Sequence, residues 1–240
     1  MTKQSGSLFG AILLVAGTAI GGGMLALPVL TSLGGFIPSL IIFFLCWLFM
    51  ACTGLLFLEV CQWTEKGSNI ISMAEKTLGP FGKVFAWGIY LFLFYCLTLA
   101  YIVGCGNLVS QAFQIPDWSG PLLFVAVFSP VVFAGARVTG KINILCMLGL
   151  GIFYCAFVLL GYRYIKTELL LERNWPLSLM ALPIAFASFG YQGIVPTLYE
   201  YLSHDFKKTR IAIIIGSSIP LATYIVWQWL ILGVVPTYGP

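Results

Sequence analysis

The chain has 240 residues, of which 60% are apolar and only 8% charged, whereas a soluble domain carries about 25% charged residues. With a mean hydropathy of +1.00, the composition excludes an ordinary soluble enzyme and predicts an all-α integral membrane protein. Twelve Lys and Arg against eight Asp and Glu leave +4, too little and too scattered for a nucleic-acid partner.

A crossing helix needs about 20 mostly apolar residues. Candidates follow in chain order at Leu8 to Leu30, Ile37 to Cys61, Val84 to Gln111, Pro121 to Ala136, Ile142 to Tyr162, Leu177 to Leu198, and Ile211 to Val235, seven in all. The first is longer than the apolar core of a signal peptide, about 7–15 residues, and the fourth is short and interrupted by Pro130. Alternate segments between these spans hold very different numbers of basic residues. Lys3, Lys66, Lys76, Lys83, Arg137, Lys141, Lys207, Lys208 and Arg210 fall on one side; Arg163, Lys166 and Arg173 fall on the other. Cytoplasmic loops retain Lys and Arg, so the N-terminus is expected inside. Trp47, Trp63, Trp87, Trp118, Trp175, Trp227 and Trp229 fall mostly near predicted ends, where interfacial anchors belong. Cysteines 46, 52, 61, 96, 105, 146 and 155 have no CxxC spacing. They read as small buried hydrophobes with free thiols.

Two spans depart from regular helix chemistry. The first contains "GTAIGGGMLALP", Gly17 to Pro28, and the sixth contains "SFGYQGIVP", Ser188 to Pro196. In lipid every backbone N–H and C=O needs a partner, so a break is tolerated only where protein or a water-filled cavity surrounds it. Gly17 and Gly21 also form a GxxxG, which by itself means close helix packing. Three consecutive glycines exceed what a packing groove requires, since each costs about 1 kcal/mol relative to Ala inside a helix. Paired breaks at corresponding places of two halves point to a transporter's binding site. If the repeat is five helices long, helix six matches helix one with inverted topology, because five is odd.

The stretches "VAGTAIGGGMLALP", "FYCLTLAYIVGCGN", "SFGYQGIVPTLYEYL" and "GSSIPLATYIVWQ" resemble the hydroxy and aromatic amino acid permease family, most of all its tyrosine-specific bacterial members. The likeness runs along essentially the whole chain. It implies a LeuT-type fold of the amino acid–polyamine–organocation superfamily, with two inverted repeats. It also implies proton symport of aromatic amino acids across a bacterial inner membrane, with no cofactor. Family members are longer. The expected division is therefore a first five-helix repeat over residues 1–165 and the start of a second over 166–240, with the remainder absent. These 240 residues alone are not expected to transport.

By that resemblance the first break, Thr18, Ala19, Ile20, Gly21, Gly22 and Gly23, binds the amino acid backbone. The N–H groups of Gly22 and Gly23 would meet the substrate carboxylate, as freed helix N-termini do, with Gly21 allowing close approach. Carbonyls of Ala19, Ile20, Ser188 and Phe189 would accept the ammonium. Tyr95, Thr98, Tyr101, Ile102 and Cys105 share one stripe of the third helix and offer an aromatic and hydroxyl lining, although such a stripe is also ordinary packing. In the second break, Gly190 completes the irregular backbone, and Phe189, Tyr191 and Gln192 are expected to project into the cavity. Thr98 or Gln192 could hold a substrate phenol, which lets a site reject phenylalanine.

Coupling leaves fewer traces. No acid, base or histidine stands at a predicted span centre, where an ionisable group would signal function. Where family members often read "FGFHG", this chain has "FGYQG", and Gln192 cannot titrate. Glu59 and Glu200, near the ends of helices two and six, are the candidate coupling acids; each also reads as a surface acid. His204 beside Asp205 reads as solvated. An enzyme would need a nucleophile, base or metal cluster in the bilayer, and none is visible. A sodium-coupled or channel-like carrier, or a non-transporting fragment of a permease, is the alternative reading. Periodicity does not rank tyrosine over tryptophan or phenylalanine.

Overall fold

The computed structural model describes residues 6–21, 23–64 and 67–235, with side chains given except at 136–141, 143 and 144. Gly22, Lys3 and Lys66, and the side chains of Arg137 and Lys141, therefore lie outside the described residues. The described chain is all α, with short 3-10 turns and no strand. Among the described residues five helices are long and apolar enough to cross a membrane, or six if the bent first pair is one span.

The chain forms two compact units, residues 1–73 with 156–240, and residues 74–155. In the first unit the expected opening span is two helices, α1 (Leu8–Ala19) and α2 (Gly23–Thr31), whose axes differ by 49°. Ser7 caps α1 by accepting from the Gly10 N–H, and Ile20 leaves the helix with extended backbone. A tight turn then leads into α3 (Phe36–Trp63).

The second unit holds most of α4 (Ile70–Phe113), then α5 (Ser119–Phe133) and the start of α6 (Ala136–Gly161). The sequence places the third span at Val84, but helical backbone reaches back to Pro80 and, across a kink, to Ile70. The kink is Gly79, at φ 74° and ψ −166°, before Pro80. That region is open essentially to Gly alone, and the residue before a proline avoids the α conformation. Close contact joins α4 to α5: a Cβ on Gly120 would overlap both the Gly106 carbonyl and the Ser110 hydroxyl. With 15 residues, α5 is the one apolar helix of this set too short to count as a span.

Beyond α6 the first unit resumes. Asn174 caps α7 (Trp175–Ser178), which passes through a 3-10 turn into α8 (Leu182–Ser188). A second break carries Phe189, Gly190 and Tyr191, followed by a 3-10 turn at Gln192–Ile194 and α9 (Val195–Tyr201). Finally α10 (Phe206–Val234) starts on Asp205, whose carboxylate accepts from the Lys208 N–H.

The first unit contains the same arrangement twice: a broken helix, a four-residue turn and a long helix. The register between the copies is 170 residues. Thr18 donates to the Leu14 carbonyl as Ser188 does to Ile184, both at 2.7 Å. Ser39 donates to Gly35 and Thr209 to Asp205 in the same relation. At mid-helix Trp47 of α3 meets its own counterpart, donating its indole N–H to Ser217 of α10 at 3.2 Å across 170 positions. The two broken helices run antiparallel, since Gly10 lies against Tyr201, Gly23 against Ser188 and Gly34 against Ser178.

Trp47 and Trp227 each donate inside the first unit, Trp227 to the Met24 carbonyl at 2.7 Å. Their indole N–H groups find protein partners because these helices pack on others. One expectation needs correction here. The cysteines are all free, but only Cys46 and Cys61 are buried, and Cys52, Cys96, Cys146 and Cys155 are exposed. An apolar helix surface that faces lipid accepts a thiol as readily as a core does.

Candidate functional site

Both interruptions lie where glycine and proline stand in the sequence, and the fold brings them together. In a continuous helix the Ala19 carbonyl would accept from residue 23, and Ser188 from residue 192. The breaks free both carbonyls, at helix ends that carry partial negative charge. Tyr224 of α10 lies between them, with its hydroxyl 2.8 Å from the Ala19 carbonyl and 3.4 Å from that of Ser188. Its ring is buried, edge-on to Phe43 at 6.5 Å and to Phe189 at 5.5 Å, and those two rings are 6.3 Å apart. Gly23 closes the same point from the other side. A Cβ there would sit 2.5 Å from the Ser188 hydroxyl and 2.7 Å from the Tyr224 oxygen.

The second break is tied to α3. Tyr191 is buried and donates its phenol proton to the Met50 carbonyl at 3.1 Å. Gln192 uses both ends of its amide: the oxygen accepts from the Tyr191 N–H at 3.0 Å, and the nitrogen donates to the Met50 carbonyl at 3.1 Å and to Thr53 at 3.2 Å. Gly54 makes room for this, because a Cβ there would overlap the Tyr191 oxygen.

The expected site residues thus divide. Ala19, Gly23, Ser188 and Phe189 meet around Tyr224, with Ile20 and Gly21 in the adjoining irregular backbone; Gly22 lies outside the described residues. The Thr18 hydroxyl is taken by Leu14 and that of Ser188 by Ile184. Gly190 turns back within its own break, donating to the Ala187 carbonyl. Phe189, Tyr191 and Gln192 point into packed protein, toward α3 and α10. Tyr95, Thr98 and Tyr101 belong to the second unit, where all three are exposed and Thr98 bonds the Phe94 carbonyl. Ile102 and Cys105 of the same stripe are half-buried.

Glu59 is exposed one turn before the end of α3. Glu200 is also exposed, and it lines a small pocket with His204, Tyr199, Cys61 and Thr64. His204 has a left-handed backbone, φ 63°, with its ring edge-on to Tyr199 at 4.9 Å. The pocket therefore draws from the ends of α3 and α9 and the turn before α10. Tyr224, Met50, Thr53 and Gly54 are the participants not singled out from the sequence. Tyr224 carried a signal, since a phenol inside an apolar span needs a partner; the Met50 carbonyl carried none.

Residues 4–238 match the model of the tryptophan/tyrosine permease family. The chain belongs to that family. It is 34% identical to tyrosine-specific transport system 1 of Haemophilus influenzae, over 91% of this chain and 56% of that protein. Identity to tyrosine-specific transport system 2 of the same organism is 35%, over 94% of this chain and 58% of the relative. With the tryptophan-specific transport protein of that organism it is 31%, over 98% and 60% respectively. The chain thus spans little more than half the length of these relatives. No solved structure matches it. The family is one of permeases rather than enzymes, and family and apolar helices together make this a multi-pass membrane protein.

Proposed function

We propose that the chain carries the paired broken helices of a secondary transporter that imports aromatic amino acids, tyrosine foremost, by proton symport across a bacterial inner membrane. The observation that carries this reading is the meeting of two antiparallel breaks, with the freed carbonyls of Ala19 and Ser188 converging on one point. A zwitterion needs acceptors for its ammonium and donors for its carboxylate. The carbonyls of Ala19, Ile20, Ser188 and Phe189 would serve the first, and the N–H groups of Gly22 and Gly23 the second.

A LeuT-type inverted repeat is supported by the 170-residue register and the antiparallel breaks. On this reading residues 1–165 are the first repeat and 166–240 the start of the second. The distribution of Lys and Arg supports a cytoplasmic N-terminus. The names of the relatives, tyrosine-specific and tryptophan-specific, support an aromatic substrate.

Uptake of labelled tyrosine into vesicles that contain the complete protein tests the whole reading. The expected result is saturable uptake, competed by tryptophan, abolished by a protonophore and unchanged when sodium is replaced by choline. Linear, unsaturable flux would instead indicate a pore, and dependence on sodium a different coupling ion.

A further inference from the structure

The place where two freed carbonyls converge is already engaged by a neutral donor. Tyr224 reaches it from α10, a helix that belongs to neither break, and its ring is fixed by Phe43 and Phe189. Only glycine at position 23 leaves space for that oxygen. The 170-residue register adds an independent observation. The counterpart of Tyr224 on α3 is Gly54, and the phenol over Gly54 comes from the other break, as Tyr191. Each tyrosine thus ties one copy of the arrangement to the other, with a glycine as its seat.

We propose that Tyr224 is a positioning residue, a latch that joins the two breaks and aims the Ala19 and Ser188 carbonyls at the substrate ammonium. A carbonyl oxygen has two lone pairs. The phenol takes one direction and leaves the other for the ligand, and because the ring is caged it stays in place when substrate arrives. The two breaks then move as one body. The latch is read from the contacts of Tyr224 themselves, whereas its effect on the ammonium rests on the aromatic amino acid reading above.

Tyr224→Phe keeps the ring packing and removes only the donor; Gly23→Ala keeps the donor and pushes it aside. Binding to the complete purified protein is measured with tyrosine and with 3-(4-hydroxyphenyl)propionate, which has the same ring and carboxylate but no ammonium. Tyr224→Phe is expected to bind tyrosine about tenfold more weakly, near the worth of one hydrogen bond to a charged group, with the amine-free acid unaffected. Equal weakening of both ligands, or of neither, would overturn the positioning role.

Hydrogen exchange without substrate is the second measurement. Residues 18–24 and 187–193 are expected to lose protection together in both variants, with 90–105 unchanged. Loss in one break alone, or in neither, overturns the latch. If wild-type protein fails to bind tyrosine yet the two breaks lose protection together, the substrate reading falls and the latch stands.

Discussion

Gly54 and Tyr191 show how little tolerance a single contact leaves. The Tyr191 oxygen donates to Met50 at 3.1 Å, and a Cβ on Gly54 would overlap that oxygen and stand 2.9 Å from two ring carbons. Because the ring is buried, it cannot swing clear. Gly54→Ala should destabilise the protein by about 1–3 kcal/mol, the usual range for overpacking, seen as a lower unfolding temperature in detergent. Adding Tyr191→Phe should recover part of that loss, since the clashing oxygen is gone; no recovery would place the strain elsewhere. A second residue-scale expectation concerns Asp205. The Lys208 N–H, and then its ammonium 3.3 Å away, hold this carboxyl below the ordinary aspartate value. A folded-state pKa that is depressed adds stability above the unfolded value, about 3.9, and that stability is lost as pH falls through the folded pKa. Acidification from neutral pH should therefore destabilise wild type more than Asp205→Asn, which keeps a good cap but does not titrate. Parallel melting curves for the two proteins would dismiss the idea.

Within elements, conformation and contact can be separated using glycines. Gly79 has φ 74°, and a Cβ there would meet nothing within 4 Å, so its requirement is purely conformational. Gly79→Ala should cost about 1–3 kcal/mol, the range for backbone held in a sparsely populated region. Gly88, in the same helix and with equally open surroundings, should gain about 0.5–1 kcal/mol on change to Ala. Chemical unfolding of the two variants checks the contrast, and a shift of the same sign in both would refute it. The same positions explain what was legible in the sequence. The two breaks could be read because glycine and proline punctuate apolar runs visibly, in "GTAIGGGMLALP" and "SFGYQGIVP". "TLGPFG" punctuates as clearly but looks like a loop, because a charged stretch flanks it; its helical continuation from Ile70 shows only in the fold. Gln192 could be placed in a break but not oriented. Its turn toward α3 depends on the Met50 carbonyl, and main-chain acceptors leave no mark on residue identity.

At the scale of the molecule, the first unit separates its chemistry along the helices. Around the breaks the polar groups are neutral: main-chain carbonyls, Tyr224, Tyr191 and Gln192. Its candidate coupling acids lie at one end instead. The α3 helix runs parallel to the second broken helix, as Phe49 with Phe186 and Met50 with Gln192 show, so Glu59 and Glu200 share that end with His204. On the proton-symport reading proposed above, a proton must bind and leave during each cycle, and of these acids Glu200 faces the pocket beside His204. On the same reading, Glu200→Gln is expected to slow proton-driven net uptake of tyrosine by about tenfold or more, the effect typical of losing a positioned proton acceptor. Exchange of internal for external tyrosine needs only the loaded protein to reorient, so it should continue near the wild-type rate. Wild-type uptake should rise as external pH falls, and the variant should lose that dependence. If net uptake and exchange declined in proportion, Glu200 would be acting on folding or substrate binding, and the coupling site would have to be sought elsewhere, with Glu59→Gln tested by the same pair of measurements.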